Sequence, residues 1–279
     1  MDTGATQQVK NVFFQDKYLV QEPEIGSGGG YKVFRATEIA TNRPCAIRIP
    51  VSQSLEGKTA STALVNGFRE ELNIWRYLSN EVPANVVTLF GASANPFPWF
   101  ACELASEDLV KGFSGLNKSD KFDVMESLLN AMEVMEQEEI LHNDIKPSNI
   151  FHIDNRWELG DFDSAFYAGC SKNFKITVPF ASPELMECGN NIAQNGLELT
   201  TKSDIWSAGV LFYWLMNTEQ LPFAGSNEEY VRNAKNGDFI RGRSDAEYDR
   251  VYEKVFSVNP EDRPTVAEFK EMIKQLRNL

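Results

Sequence analysis

Two short runs hold the groups best suited to chemistry: His142-Asn143-Asp144-Ile145-Lys146-Pro147-Ser148-Asn149 and Gly160-Asp161-Phe162-Asp163. The amide oxygen of Asn149 and the carboxylate of Asp161 are hard donors of the kind Mg²⁺ prefers, and Mg²⁺ tends to sit with phosphates. Asp144 can orient an attacking hydroxyl, while Lys146 can neutralise charge on a group in transfer. These are the parts that phosphoryl transfer needs. A polar surface hairpin could hold the same letters, so the flanking elements must decide.

Those elements are readable from pattern. Pro147 has a fixed φ and no N–H, so it keeps a helix from swallowing the loop. The apolar runs Ile150–Ile153 and Trp157–Leu159 flank Asp154-Asn155-Arg156, which predicts a hairpin. Such a hairpin carries Asn149 and Asp161 to the same end of its two strands. Upstream, Asp120–Glu138 places Phe122, Met125, Leu128, Leu129, Met132 and Met135 on one face, a core helix that delivers the chain to His142. Downstream, Ser203–Met216 is apolar nearly all round and must be buried on every side, with Ser203 as the expected N-cap. Thr265-Val266-Ala267-Glu268 forms a capping box, and the last helix runs from it through Leu276.

The first hundred residues read differently. Residues 1–15 are polar and suggest a loose lead-in, and the pattern turns strand-like from Tyr18. Gly26-Ser27-Gly28-Gly29-Gly30 forms a turn between two strands that lets backbone amides approach a polyphosphate. Cys45-Ala46-Ile47-Arg48 is a further strand, after a turn at Thr41–Pro44. Phe68, Leu72, Trp75 and Leu78 recur at helical spacing, with Glu70 and Glu71 between them. Asn85–Phe90 and Phe97–Leu104 read as strands.

With 279 residues the chain can bury a sizeable core, as one large domain or two lobes. Its net charge of −13 argues against nonspecific nucleic-acid binding and against an anionic membrane surface. Cys45, Cys102, Cys170 and Cys188 show no C-x-x-C spacing, so neither a zinc site nor a disulfide frame is indicated. No basic segment followed by an apolar one opens the chain, and the longest apolar run, Val210–Met216, is too short to span a bilayer. A cytoplasmic setting is expected, without an appended domain and without a nucleic-acid or membrane partner. Oligomeric state is not legible.

The motifs H-x-D-x-K-P-x-N and D-F-x, the glycine-rich loop 22 residues before Arg48, and Thr177-Val178-Pro179-Phe180-Ala181-Ser182-Pro183-Glu184 follow one another in a familiar order. Over roughly residues 18–276 the chain resembles the eukaryotic-type protein kinase family. The resemblance implies an α+β, bilobal protein kinase-like fold, with a small β-rich N-lobe over 16–105 and a larger α-helical C-lobe over 106–279. It implies ATP and Mg²⁺ as cofactors, in a cleft between the lobes, and a protein serine or threonine as acceptor. Lys146 and Thr177 favour serine or threonine over tyrosine. Asp144 and Lys146 become the catalytic residues and Asn149 and Asp161 the metal ligands. Gly26, Ser27, Gly28, Gly29, Val33, Ala46, Arg48, Glu71, Glu103, Ala105 and Phe151 become nucleotide-binding positions, with Glu71 the partner of residue 48. Asp204 is expected to hold the backbone amides at His142 and Asn143, and Glu184 to pair with Arg263.

Four departures from the family pattern bear on activity. Tyr31 stands where the third loop glycine falls, Arg48 where the strand lysine falls, Asn143 where an arginine falls, and Asp163 where a glycine falls. Arginine keeps the charge, but its planar fork is bulkier than an ammonium and points differently. In the family such a replacement usually costs catalysis more than nucleotide binding. An inactivating substitution, a natural pseudokinase and an enzyme that tolerates arginine all remain open. Asn143 removes the cation that receives a phosphate from the loop, so an active chain would need no phosphate in Ser164–Thr177. Asp163 is expected to hinder a backbone flip and to put a third carboxylate near the metal. Two functions from different classes follow: a Ser/Thr protein kinase impaired at Arg48, or a nucleotide-binding scaffold. A small-molecule kinase of the aminoglycoside type is disfavoured by Lys146, Thr177 and Glu184.

Overall fold

A computed structural model describes residues 10–28, 30–55, 60–170, 176–188, 199–241 and 246–279. It divides into two compact units, one of Met1–Leu72 with Thr88–Ala105 and one of Asn73–Val87 with Ser106–Leu279.

The smaller unit is built on one antiparallel sheet of β1 (Lys10–Phe14), β2 (Tyr18–Glu22), β3 (Gly26–Gly28), β4 (Tyr31–Glu38), β5 (Arg43–Pro50), β6 (Leu89–Ser93) and β7 (Trp99–Cys102). The order is β1-β2-β4-β5-β7-β6, with β3 paired to β4. Tyr18, Val20, Phe34, Ala36, Cys45, Ile47 and Ile49 alternate with more exposed neighbours and form the core of one face. Helix α1 (Thr62–Glu81) contributes Val65, Phe68 and Leu72 to this unit, and the Phe68 ring stacks on Phe100 at 4.0 Å. Two expectations are corrected here. Residues 10–14 are a strand and not a loose lead-in, because Val12 pairs with Val20 and Phe14 is buried against Phe97 and Trp99. The strand expected over Asn85–Phe90 begins only at Leu89.

In the larger unit helices dominate. After β8 (Glu107–Asp108) and the short α2 (Leu109–Gly112) comes α3 (Lys118–Gln137), opened by a capping box between Asn117 and Asp120. Strand β9 (Ile140–Leu141) precedes the loop at His142. Strands β10 (Ile150–Ile153) and β11 (Arg156–Leu159) form the expected hairpin, and β12 (Phe166–Tyr167) pairs back with β9. Asp154 and Asn155 both have positive φ, 46° and 63°, as a tight two-residue hairpin turn requires. Helices α4 (Pro183–Cys188), α5 (Lys202–Met216), α6 (Asn227–Asn236), α7 (Ala246–Val255) and α8 (Val266–Arg277) complete the unit.

Every residue of α5 from Ser203 to Leu215 is buried, as its apolar composition requires. Gly209 lets α7 approach, since a Cβ there would lie 2.6 Å from Val255 Cγ2. Ser203 is not the N-cap, however. Thr201 holds that position without a side-chain bond, and Ser203 lies in the first turn. Thr265 does cap α8, in a reciprocal capping box with Glu268. Among the described residues no helix is long and apolar enough to cross a membrane. A sheet-built unit and a helix-built unit in one chain give the α+β class expected from the sequence.

Candidate active site

In the larger unit the loop after β9 is held from below by Asp204. Its carboxylate accepts the N–H of His142 at 2.7 Å and that of Asn143 at 2.9 Å. Burial raises the Asp204 pKa, against the pull of His142 and of these two amides. The His142 ring is buried, with Nδ1 accepting the Asp144 N–H at 3.3 Å and Nε2 lying 3.2 Å from the Gly160 carbonyl. That pair of contacts suits the tautomer protonated on Nε2. The imidazole thereby ties the loop at 142–149 to the loop at 160–163.

Around Asp144 the contacts are short and convergent. Lys146 Nζ donates to Asp144 Oδ2 at 2.6 Å, and Thr177 Oγ1 donates to Asp144 Oδ1 at 2.7 Å. Lys146 Nζ also reaches Thr177 Oγ1 at 3.1 Å. Asn149 Nδ2 donates to the Asp144 carbonyl oxygen at 2.8 Å and to Oδ2 at 3.0 Å. These bonds take the Asn149 nitrogen, so its amide oxygen is the atom left to meet a cation. The segment bearing Thr177 is itself anchored, for Tyr230 donates to the Pro179 carbonyl and Ser207 to that of Phe180. Glu184 closes the segment with a two-pronged ion pair to the buried Arg263, at 2.6 and 2.8 Å.

The hairpin register sets Ile150 opposite Leu159, and the Gly160 N–H donates to the Asn149 carbonyl at 3.0 Å. Asn149 and Asp161 therefore emerge at one end of the hairpin. Asp161 has left-handed backbone, φ 66° and ψ 72°, and so does Asn143 at φ 62°. Aspartate and asparagine tolerate this region better than most residues. Asp163, which replaces the family's glycine, has no positive φ and accepts a hydrogen bond from Ser164 Oγ at 3.0 Å. The unusual backbone lies two residues earlier, at Asp161. Asn143 Nδ2 donates to the Ser164 carbonyl at 3.4 Å. Residues 171–175, part of the segment Ser164–Thr177, lie outside the described residues. Phe151 is half-buried on β10, with its ring 3.1 Å from where a Cβ on Gly160 would sit. That close approach explains the glycine before Asp161.

The positions expected to bind nucleotide, other than Phe151, belong to the smaller unit. Gly26 pairs with Val33, and Val33 with Arg48, so these three residues lie side by side across β3, β4 and β5. Ala46 is two residues from Arg48 and shares its face. Gly30 turns the chain at φ 92°, while Gly29 lies outside the described residues. A Cβ at Gly26 or Gly28 would meet no atom within 4 Å, so the described chain itself does not require glycine there. Ser27 sits between them on the exposed β3. The Glu103 N–H donates to the Thr88 carbonyl at 3.0 Å and its side chain takes the Thr88 N–H at 2.7 Å.

Glu71, not Glu70, faces inward. It is 2% exposed, and Arg48 Nη1 lies 3.8 Å from its Oε1. The contact that sequence reasoning missed is Tyr31, whose hydroxyl donates to Glu71 Oε2 at 2.5 Å. Forty residues separate the two, and no local pattern announces such a pair.

The comparisons with known proteins agree with this arrangement. A family model described as a protein kinase domain matches residues 19–275. CBL-interacting serine/threonine-protein kinase 10 of Arabidopsis thaliana is 29% identical over 274 residues, 92% of this chain and 53% of that protein. CBL-interacting protein kinase 5 of Oryza sativa subsp. japonica is 25% identical over 260 residues, 88% of this chain and 53% of that protein. Serine/threonine-protein kinase atg1 of Dictyostelium discoideum is 24% identical over 232 residues, 78% and 33% respectively. The chain spans about half the length, or less, of these curated relatives. With the match extending over nearly the whole sequence, and serine/threonine kinases as its relatives, the chain belongs to the eukaryotic-type protein kinase family.

Proposed function

We propose that the chain is an ATP- and Mg²⁺-dependent protein kinase acting on serine or threonine hydroxyls of a protein in the cytoplasm. The observation that carries this reading is the Asp144 carboxylate, held at once by Lys146, Thr177 and Asn149. A carboxylate fixed from several sides can meet an incoming hydroxyl without reorganising, which is where most of the help in phosphoryl transfer lies. The acceptor oxygen bonds to the γ-phosphorus, the bond from that phosphorus to the β–γ bridging oxygen breaks, and ADP leaves. Asp144 receives the hydroxyl proton. Lys146 offsets charge on the phosphoryl group, and Thr177 keeps both side chains in register.

Asn149 and Asp161 form an oxygen donor set that fits Mg²⁺, whose contribution is to neutralise phosphate charge. In the smaller unit Gly26 and Gly28 leave room for phosphates, Arg48 supplies the cation, and Val33, Ala46, Glu103 and Ala105 offer surfaces and backbone groups for adenine. In the larger unit, the half-buried Phe151 on β10 is the further position the family resemblance assigns to the nucleotide. The net charge of −13 supports a reading without nucleic-acid or membrane partners.

A second reading, a nucleotide-binding scaffold without transfer, is favoured by one observation. Arg48 stands 3.8 Å from Glu71, longer than a hydrogen bond, where the family has lysine. Labelled phosphate transferred from γ-labelled ATP to a basic protein separates the two. Transfer by the chain or by its Arg48→Lys variant supports the kinase. No transfer by either, with Mg-ATP still raising the melting temperature, supports the scaffold.

A further inference from the structure

Two departures from the family pattern meet in space. Tyr31 is the first residue of β4, 8% exposed, and Arg48 lies on the neighbouring β5. The Arg48 guanidinium carbon is 4.6 Å from the Tyr31 ring centroid, within cation–π range. It is also 5.9 Å from the Phe100 ring, and the two rings are 6.0 Å apart. Glu71 divides its oxygens between them. Oε2 accepts the Tyr31 hydroxyl at 2.5 Å, and Oε1 faces Arg48 at 3.8 Å.

These contacts differ in kind from those a lysine would make. A planar guanidinium can lie against an aromatic ring and keep a fixed orientation, whereas an ammonium is a compact charge that turns freely. At 3.8 Å the ion pair alone does not fix the direction of the arginine. The ring beside it and the hydroxyl on its carboxylate partner add two further constraints. A glycine at position 31 would supply neither.

We propose that Tyr31 is a positioning residue of the nucleotide site. Its hydroxyl holds Glu71 and its ring holds Arg48, and together they aim the guanidinium at the phosphates of a bound nucleoside triphosphate. Tyr31 and Arg48 are thus a matched pair, and the arginine is the residue this sheet is built to carry. The inference rests on the nucleotide-binding reading above and adds the residue that makes arginine workable there.

Calorimetry on the whole chain tests it, with Mg-ATP and with adenosine, which has the base but no phosphates. Tyr31→Phe keeps the ring and its packing but drops the hydroxyl. It should weaken Mg-ATP about tenfold while leaving adenosine within about twofold, the size expected for one lost hydrogen bond to a charged group. Arg48→Lys should also weaken Mg-ATP, and the double variant should fall short of the product of the two single losses, as coupled neighbours do. Equal weakening of both ligands by Tyr31→Phe would mean lost structure alone and would overturn the proposal. So would unchanged Mg-ATP affinity, or losses that multiply in the double variant. If Tyr31→Phe does not fold, Arg48→Lys decides: tighter Mg-ATP binding than wild type refutes the matched pair. Failure of the wild type to bind Mg-ATP at all would instead sink the nucleotide-binding reading itself, and this proposal with it.

Discussion

Replacing Asp204 probes what keeps Asp144 in place. The side chain is 2% exposed and accepts two backbone amides, from His142 at 2.7 Å and Asn143 at 2.9 Å. Alanine there leaves both donors buried and unsatisfied, at about 1–3 kcal/mol each. Loss of a negative charge from the first turn of α5 adds roughly 0.5 kcal/mol. Removing an ion that is itself desolvated returns part of this, so the expected net loss is about 3 kcal/mol. For a chain of this size that lowers the melting temperature by roughly 6–12 °C. Asp204→Asn keeps one acceptor oxygen and turns an NH₂ toward the other donor, so its loss should be smaller, about 1.5 kcal/mol. Urea unfolding of wild type and both variants, followed by fluorescence, reads these differences. If both variants lie within about 0.5 kcal/mol of wild type, the carboxylate does not hold the loop and the reasoning fails.

Arg263→Ala should cost about 3–5 kcal/mol, because it strips the half-buried Glu184 carboxylate of its partner, empties a fully buried side-chain site and takes a donor from the carbonyls of Lys202 and Ser257; a urea midpoint close to wild type would contradict this. Glu38 is held below the ordinary 4.5 first by the Thr41 hydroxyl and then by Lys17 and Arg43. A depressed carboxyl contributes stability above pH 4.5 and loses it as pH falls through its folded value. The gap in melting temperature between wild type and Glu38→Gln should therefore shrink on acidification, and a constant gap would count against the cluster. Burial pushes the Cys102 thiol up to about 12 and that of Cys45 up to about 11, while Cys170 is exposed. Alkylation of the folded chain at pH 8, mapped by peptide mass spectrometry, should mark Cys170 well before Cys45 or Cys102, and early labelling at Cys102 would show its strand opening.

What the sequence carried was what local spacing can encode. The hairpin from Ile150 to Leu159 follows from two apolar runs and an Asp-Asn turn, and it alone brings Asn149 next to Gly160 and Asp161. The capping box at Thr265 and Glu268 is likewise written within one turn. What escaped depends on partners far along the chain. Reading residues 1–15 as one polar segment passes over Val12, Phe13 and Phe14, whose strand is settled by pairing with Val20 and packing on Trp99. Val86 and Val87 look like strand residues, yet they are buried beside Leu159, with Trp75 donating to the Val87 carbonyl. Family pattern singles out Asp163 as the departure from glycine, while the left-handed backbone at Asp161 is not legible in the sequence. Tyr31 was legible only as a missing glycine, since nothing near it in the sequence announces Glu71.

The proposed kinase activity requires Asp144 to deliver a protein hydroxyl to the γ-phosphate of Mg-ATP. Mass spectrometry of a basic protein incubated with Mg-ATP and either the wild-type chain or Asp144→Asn tests this most directly. Phosphate on serine or threonine with the wild type, and none with the variant, is the predicted result. Equal phosphate from both, or none from a wild-type chain that binds Mg-ATP, would contradict it.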